Sequence, residues 1–350
     1  MRLQNRRLIL TILLICGDFV PGSQVWREPT PWIILALAAA AAGIRPLRHH
    51  FYFAAGRLAD WAGARAAKIA IFVGSAVALF FFAQAWHYRG QLFVRWQDEF
   101  SYLIQARMLS VGRLWMPAYP AGIGQFFDSP FLTVDRVYAS IYFPGTALLM
   151  IPTLWLQLPF WVMPALIASI AAALFYLLLA RLFNPTRALI AIPMLVCLLP
   201  YRDVAMMVLS ESPFLLAEMA LLWSWLMWRE HPTGRWAWFI GAAAGYAAIT
   251  RPIDALCFAL PVSVAMVWEL LPSRKKMLLP ILTKLVLAAS PFLAIQVIQN
   301  LGITGRWDAT AESQYVQQHN PAGLIGFYRI DPANVPRSAQ PQRRQEMQQL

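Results

Sequence analysis

Trp96-Gln97-Asp98-Glu99-Phe100-Ser101-Tyr102-Leu103-Ile104-Gln105-Ala106-Arg107-Met108-Leu109 is the stretch around which this chain is organised. It follows the apolar run Ile69 to Trp86, so two adjacent carboxylates, Asp98 and Glu99, stand at the mouth of a predicted membrane helix. Helical spacing puts Phe100, Leu103, Ile104, Met108 and Val111 on one side, Ser101 and Gln105 on the other, and Arg107 near the edge. Gly112 supplies a stop. The pattern predicts a short helix lying in the membrane interface with its apolar side in lipid, holding two acids near the surface.

Composition supports a membrane setting for that helix. The chain is 59% hydrophobic and only 13% charged, where a soluble domain is roughly a quarter charged. Its net charge of +12 invites a nucleic-acid reading. However, the four lysines, Lys68, Lys275, Lys276 and Lys284, each lie beside an apolar run. That placement suits a topology signal and not a basic face that tracks phosphates, so no nucleic-acid partner is expected. Cys16, Cys197 and Cys257 fall inside apolar runs without metal or disulfide spacing, and read as small buried hydrophobes.

Outward from the central stretch, the apolar runs alternate with basic turns. Arg2, Arg6 and Arg7 precede the run Leu8 to Val20, an expected uncleaved first helix; Pro31 to Leu47 is a second crossing. Between Phe51 and Trp61 an inner amphipathic helix is expected. Ile69 to Trp86 then crosses outward, and residues 87–143, too polar to span, form a large outer loop. Gly145 to Trp155 is too short to cross and reads as a juxtamembrane helix. Six crossings follow: Phe160 to Leu182, Leu189 to Met207, Phe214 to Trp228, Trp236 to Ile249, Ile253 to Leu271 and Leu278 to Ile298. Sixteen basic residues fall on the assigned inner side against three, Arg27, Arg202 and Arg251, in the short outer connections. The expectation is an all-α, polytopic bundle of about nine spans in the cell (inner) membrane. Its N-terminus is cytoplasmic and its C-terminus periplasmic or extracellular. It divides into an N-terminal hairpin with an inner amphipathic segment (1–66), a seven-span module (67–298) and an outer polar tail (299–350) whose end is disordered.

This topology gathers acids on one side. Asp98 and Glu99, Asp203, and Glu211 lie at the outer ends of different spans and are expected to converge on one cavity. Asp98 is open to two readings. Either it caps the interfacial helix with Glu99 in the first turn, or one of the pair takes a proton from a hydroxyl nucleophile in a partly shielded setting. Arg251, in the outer turn Ile249-Thr250-Arg251-Pro252, is either an interfacial anchor or a guanidinium fork for an anionic phosphate. Arg202 stands next to Asp203 on the same side.

The run Trp96 to Tyr102, followed by Ala106-Arg107-Met108-Leu109, Gly112 and Trp115-Met116-Pro117, resembles the first outer loop of GT-C glycosyltransferases. The nearest branch is that of lipid A aminoarabinose transferases and protein O-mannosyltransferases. Tyr142-Phe143-Pro144-Gly145 is similar to the family's Tyr-x-Pro stretch before its juxtamembrane helix. Ser210-Glu211 and Thr250-Arg251-Pro252 resemble two further family turns. The seven spans from Ile69 to Ile298 match the shared module, but a Lys that some relatives carry before the juxtamembrane helix has no counterpart near Tyr142. The resemblance implies transfer of a sugar from a polyprenyl-phosphate donor to a hydroxyl acceptor, by inversion, on the outer face. Asp98 would be the base, Glu99 and Glu211 would orient the acceptor or bind a divalent cation, and Arg251 would hold the carrier phosphate. Tyr102, Arg202 and Asp203 complete the substrate-binding set. The rival expectation is a non-enzymatic transporter or flippase of a lipid-linked substrate, since charges at span ends serve transport as well. Transporters usually show two related halves, and no internal repeat stands out here.

Overall fold

A computed structural model describes residues 56–57, 60–88, 92, 94–120, 123–273 and 275–319. The two expected N-terminal spans, most of the inner amphipathic segment and the last stretch of the tail lie outside the described residues. The chain divides into compact units 1–61 and 62–350, and the helices and strands from Ala66 to His319 belong to the second.

The first long helix, α1 (Ala66–His87), is apolar all round. Ile69, Ala70, Val73, Val77, Phe81 and Ala85 are buried at helical spacing. Ile71, Phe72 and Leu79 on the other side are exposed. An all-apolar helix with one face uncovered is stable where the surroundings are themselves apolar. It packs antiparallel to α4 (Val162–Leu182), with Phe82 near its end against Trp161 just before α4. The contact is close because α4 buries Ala165, Ala168, Ser169, Ala171 and Ala172, small side chains that let helix axes approach without a hydrophobic driving force.

Between these two lie α2 (Gln97–Ser110) and α3 (Gly145–Trp155). The loop that joins them holds a small antiparallel sheet. Its strands β1 (Met116–Pro117), β2 (Leu132–Thr133) and β3 (Val137–Ser140) lie in the order β1-β3-β2. The all-α expectation holds: the chain is mostly helical, and this small sheet is folded on α2. After α2, Gly112 stands at φ +74° and its N–H donates to Leu109 while Arg113 N–H donates to Met108. The glycine stop expected from the sequence is therefore a left-handed C-terminal cap.

Beyond α4 the expected crossing Leu189 to Met207 is broken. It folds as α5 (Pro185–Cys197) and α6 (Leu199–Val204), separated at Leu198, whose backbone is extended. Asn184 starts α5 by accepting the Arg187 N–H at 2.8 Å, while Pro193 within α5 and Pro200 in α6 each remove a backbone donor. The remaining helices are α7 (Glu211–Glu230), α8 (Gly234–Ala248), α9 (Pro252–Ser273), α10 (Lys275–Thr304) and α11 (Ala311–His319). Gly241 and Gly245 on α8 meet the α10 backbone so closely that an added Cβ would lie 2.4 Å from the Leu285 carbonyl oxygen and 2.7 Å from the Ala289 Cα. This is a small-xxx-small seam, one turn of a GxxxG pattern.

Among the described residues, four helical stretches are long and apolar enough to cross a membrane: Ala66–His87, Val162–Leu182, Pro252–Leu271 and Met277–Thr304. The chain is thus a helical membrane protein. α7 carries Glu211, Glu218, Arg229 and Glu230 within its 20 residues, and α8 has only 15. At one end of the bundle, Arg181 of α4 pairs with Glu230 of α7, and Arg229 pairs with Glu269 of α9 at 2.7 Å. These three helices therefore run in parallel, with their N-termini toward the opposite end.

Candidate functional site

That opposite end starts with α2. Its buried side carries Ser101, Tyr102, Gln105, Ala106 and Met108, while Phe100 and Val111 are exposed. Of the outward apolar side predicted from spacing, only Phe100 and Val111 are exposed; Leu103 is half-buried against the cluster of Tyr102 and Met150, and Ile104 packs on Met108, which is buried with Leu132 and Tyr138. The polar side faces protein because it has partners there. Ser101 Oγ donates to the Phe131 carbonyl at 2.8 Å and lies 2.8 Å from Ser140 Oγ. Gln105 Nε2 donates to the Tyr142 carbonyl at 2.8 Å, which also accepts from Gln299 Nε2 of α10 at 3.1 Å. These bonds fasten the loop between α2 and α3 onto α2 and seat Tyr142.

The two adjacent acids have opposite fates. Glu99 is 1% exposed. Its Oε1 accepts the Arg95 N–H at 3.0 Å and the Trp96 N–H at 3.3 Å, the reach-back half of a capping box. Its Oε2 accepts the Val208 N–H at 3.0 Å. Three backbone donors occupy the carboxylate, so Glu99 ties the 205–210 turn to α2. Asp98, half-buried one residue earlier, does not cap the helix. Its Oδ1 accepts the Tyr142 hydroxyl. Tyr142 stacks on Tyr102 with ring centroids 4.6 Å apart and planes 20° from parallel. Burial, then the bond and charge of Asp98, push the Tyr142 phenol far above its ordinary range, so it stays a donor.

Tyr102 links this pair to the next. Burial pushes its phenol up to about 12; the nearby Ser210 hydroxyl opposes that shift, and the charges of Glu211 and Asp98 add to it. Ser210 and Glu211 stand at the start of α7, where Arg251 Nη1 donates to Ser210 Oγ at 3.2 Å and to Glu211 Oε1 at 3.0 Å. Arg251 Nε bonds Asp254 in the first turn of α9. Burial works against the guanidinium's charge, but Asp254 and Glu211 outweigh it and hold the group above its usual range. The turn carrying Arg251 is locked to α3, because Gly145 N–H donates to the Ile249 carbonyl at 2.7 Å and Tyr246 hydroxyl donates to the Gly145 carbonyl at 3.0 Å.

Five helix N-termini thus meet here: α2, α3, α7, α9 and α11. All but α3 carry an acid in the first turn, namely Asp98 and Glu99, Glu211, Asp254 and Glu312. Acids at helix starts are favoured by the macrodipole, so part of this acidity is structural. Asp254 and Glu312 were not anticipated from sequence. Asp254 had a local signal, three residues after Arg251 and just past a Pro. Glu312 had none. Burial pushes its carboxyl up, opposed by the charge of Arg251; its helix α11 reaches the same loop through Tyr315, whose hydroxyl accepts the Phe131 N–H at 3.2 Å.

Of the residues expected from sequence, Asp98, Tyr102, Glu211 and Arg251 come together, and Glu99 supports them from behind. Asp203 is exposed on α6 and carries no ion pair among the described residues. Arg202 has a buried Nε that likewise has no hydrogen bond among them. Neither is joined to the cluster by a bond. Among the described residues no group of three or more Asp, Glu, His or Cys side chains is placed to hold a metal ion. The two acids expected to share a cation are engaged elsewhere, Glu99 by amides and Glu211 by Arg251. Comparison with family models, with curated proteins and with solved structures gives no match for this chain.

Proposed function

We propose that this chain is a membrane glycosyltransferase that moves a sugar from a polyprenyl-phosphate donor to a hydroxyl acceptor on the outer face. One observation carries the reading: Asp98 and Arg251, 153 positions apart, are gathered at one end of an apolar helical bundle through Tyr102, Ser210 and Glu211. Asp98 has one oxygen on the Tyr142 hydroxyl, and its other oxygen has no partner among the described residues. As the acceptor oxygen attacks the anomeric carbon, that open oxygen takes its proton. The bond from the anomeric carbon to the phosphate oxygen breaks with inversion, and the electron pair leaves on the phosphate. Arg251 receives this charge on its Nη2 edge, since Nε and Nη1 are held by Asp254, Ser210 and Glu211.

In this reading the chain crosses the inner membrane about nine times, with the N-terminus cytoplasmic and the C-terminus outside. α7 and α8 then cross as charged or short helices packed among α4, α9 and α10. The test is transfer of a labelled sugar from synthetic polyprenyl phosphate to a hydroxyl acceptor by the purified full chain in detergent. Asp98→Asn should lower turnover about 10²–10⁴-fold, the worth of a positioned proton acceptor. Arg251→Ala should raise the donor KM roughly ten- to a hundred-fold, matching about 1.5–3 kcal/mol for a charge-assisted bond. Intact donor in detergent, together with its movement across proteoliposomes, would instead establish a transporter.

A further inference from the structure

Among its described residues, the loop between α2 and α3 contains one in a conformation its side chain disfavours. Phe131 sits at φ +63°, a left-handed backbone that is an outlier for a bulky residue and persists only where neighbours impose it. Its backbone is held at both ends. The carbonyl accepts Ser101 Oγ at 2.8 Å and Ile141 N–H at 3.1 Å, and the N–H donates to the Tyr315 hydroxyl of α11 at 3.2 Å. Its ring lies between those of Tyr142 and Tyr315, with centroids 5.5 and 6.2 Å away. α11 therefore reaches over the loop and presses Phe131 onto the tyrosine that bonds Asp98. Glu312, three residues before Tyr315 on the same helix, faces Tyr142 and Arg251 electrostatically. The segment after the last long helix is thus built into the site.

We infer that α11 is a strap whose Tyr315 acts as a positioning residue: by holding Phe131 it keeps the Tyr142 hydroxyl on Asp98. The hydroxyl matters more than the ring, because the ring alone stacks without direction, whereas the bond to a backbone N–H fixes the loop's height above α2. Loss of that bond lets Phe131 relax toward an ordinary φ, and the relaxation moves Ile141, whose N–H bonds the Phe131 carbonyl, and with it the adjoining Tyr142, whose ring lies against that of Phe131. In catalytic terms this rests on the glycosyltransferase reading. In structural terms it does not, and the two are tested separately.

The experiment uses the purified full chain in detergent with Tyr315→Phe, Tyr142→Phe and the double variant. Hydrogen exchange is expected to speed up about five- to tenfold over residues 129–142 in Tyr315→Phe, the factor for one ordinary hydrogen bond. α7 and α8 should stay unchanged. Turnover of the labelled polyprenyl-phosphate sugar should fall about fivefold in Tyr315→Phe. It should fall no further when Tyr315→Phe is added to Tyr142→Phe, because the strap then has nothing left to position. Unchanged exchange over 129–142 would overturn the strap, and fully additive turnover losses would overturn its action through Tyr142. Absence of turnover in the parent chain refutes the glycosyltransferase reading, and exchange over 129–142 still decides the strap.

Discussion

Glu99→Gln separates the two acids of the central stretch. The side chain keeps its volume but has one acceptor oxygen in place of two, and its amide nitrogen donates. With the oxygen toward Arg95 and Trp96, the NH2 group meets the Val208 N–H; turned round, it meets both of the others. The first choice leaves fewer donors opposed, so the Val208 bond is the one lost. Because Glu99 is 1% exposed, water cannot replace it, and the loss of a charge-assisted bond is about 1.5–3 kcal/mol. The thermal midpoint in detergent should drop by several degrees, with faster amide exchange at residues 205–210. Asp98→Asn should behave in the opposite way. Asn Oδ1 still accepts the Tyr142 hydroxyl, so only the charge assistance is lost, about 1 kcal/mol. Its turnover should nonetheless collapse, while Glu99→Gln retains most of its rate once folded. A Glu99→Gln chain with an unchanged midpoint and collapsed turnover would refute the bracing role and put that carboxylate on the substrate.

Three further outcomes follow from the geometry. Gly145→Ala would set a Cβ 2.1 Å from Thr250 Oγ1 and 2.7 Å from the Ile249 carbonyl oxygen; it should destabilise by roughly 1–3 kcal/mol and weaken donor binding by shifting Arg251, checked by thermal denaturation and donor KM. Tyr102, with its phenol raised from 10 to about 12, contributes stability that is whole below pH 10 and lost as the pH rises toward 12. Tyr102→Phe should therefore flatten the alkaline stability limb, by roughly 3 kcal/mol at most, in a pH-dependent unfolding series. For topology, Ser129→Cys should react with an impermeant thiol reagent from outside, and Ser273→Cys only from inside, in a chain freed of its native cysteines. Outside labelling at position 273 would overturn the orientation.

The long helices and their ends were legible because helix formation follows spacing within a few residues. The ranges of α1, α3, α4, α9 and α10 track apolar runs, and α3 has the expected bounds. The exposure of Phe100 and Val111 on α2 could be read for the same reason, whereas Leu103, Ile104 and Met108 of that side are claimed by tertiary packing. A mean hydropathy cannot see a break, so Leu189 to Met207 read as one crossing although Pro193 and Pro200 stood in it as signals. The reading of the paired acids went only as far as their position at a helix start. Which acid braces and which is open depends on the Val208 N–H and the Tyr142 hydroxyl, 109 and 44 positions away. Tyr315 lies 184 positions from Phe131, and Arg251 lies 40 from Glu211. The sequence by itself determined an apolar, helical, membrane-embedded chain with acids at one set of span ends, since burial in lipid and helical period are local properties. Only the tertiary structure decided which of those acids meet. That choice depends on how small residues such as Gly241, Gly245 and Ala168 let the helices close on one another, and no local pattern encodes the resulting distances.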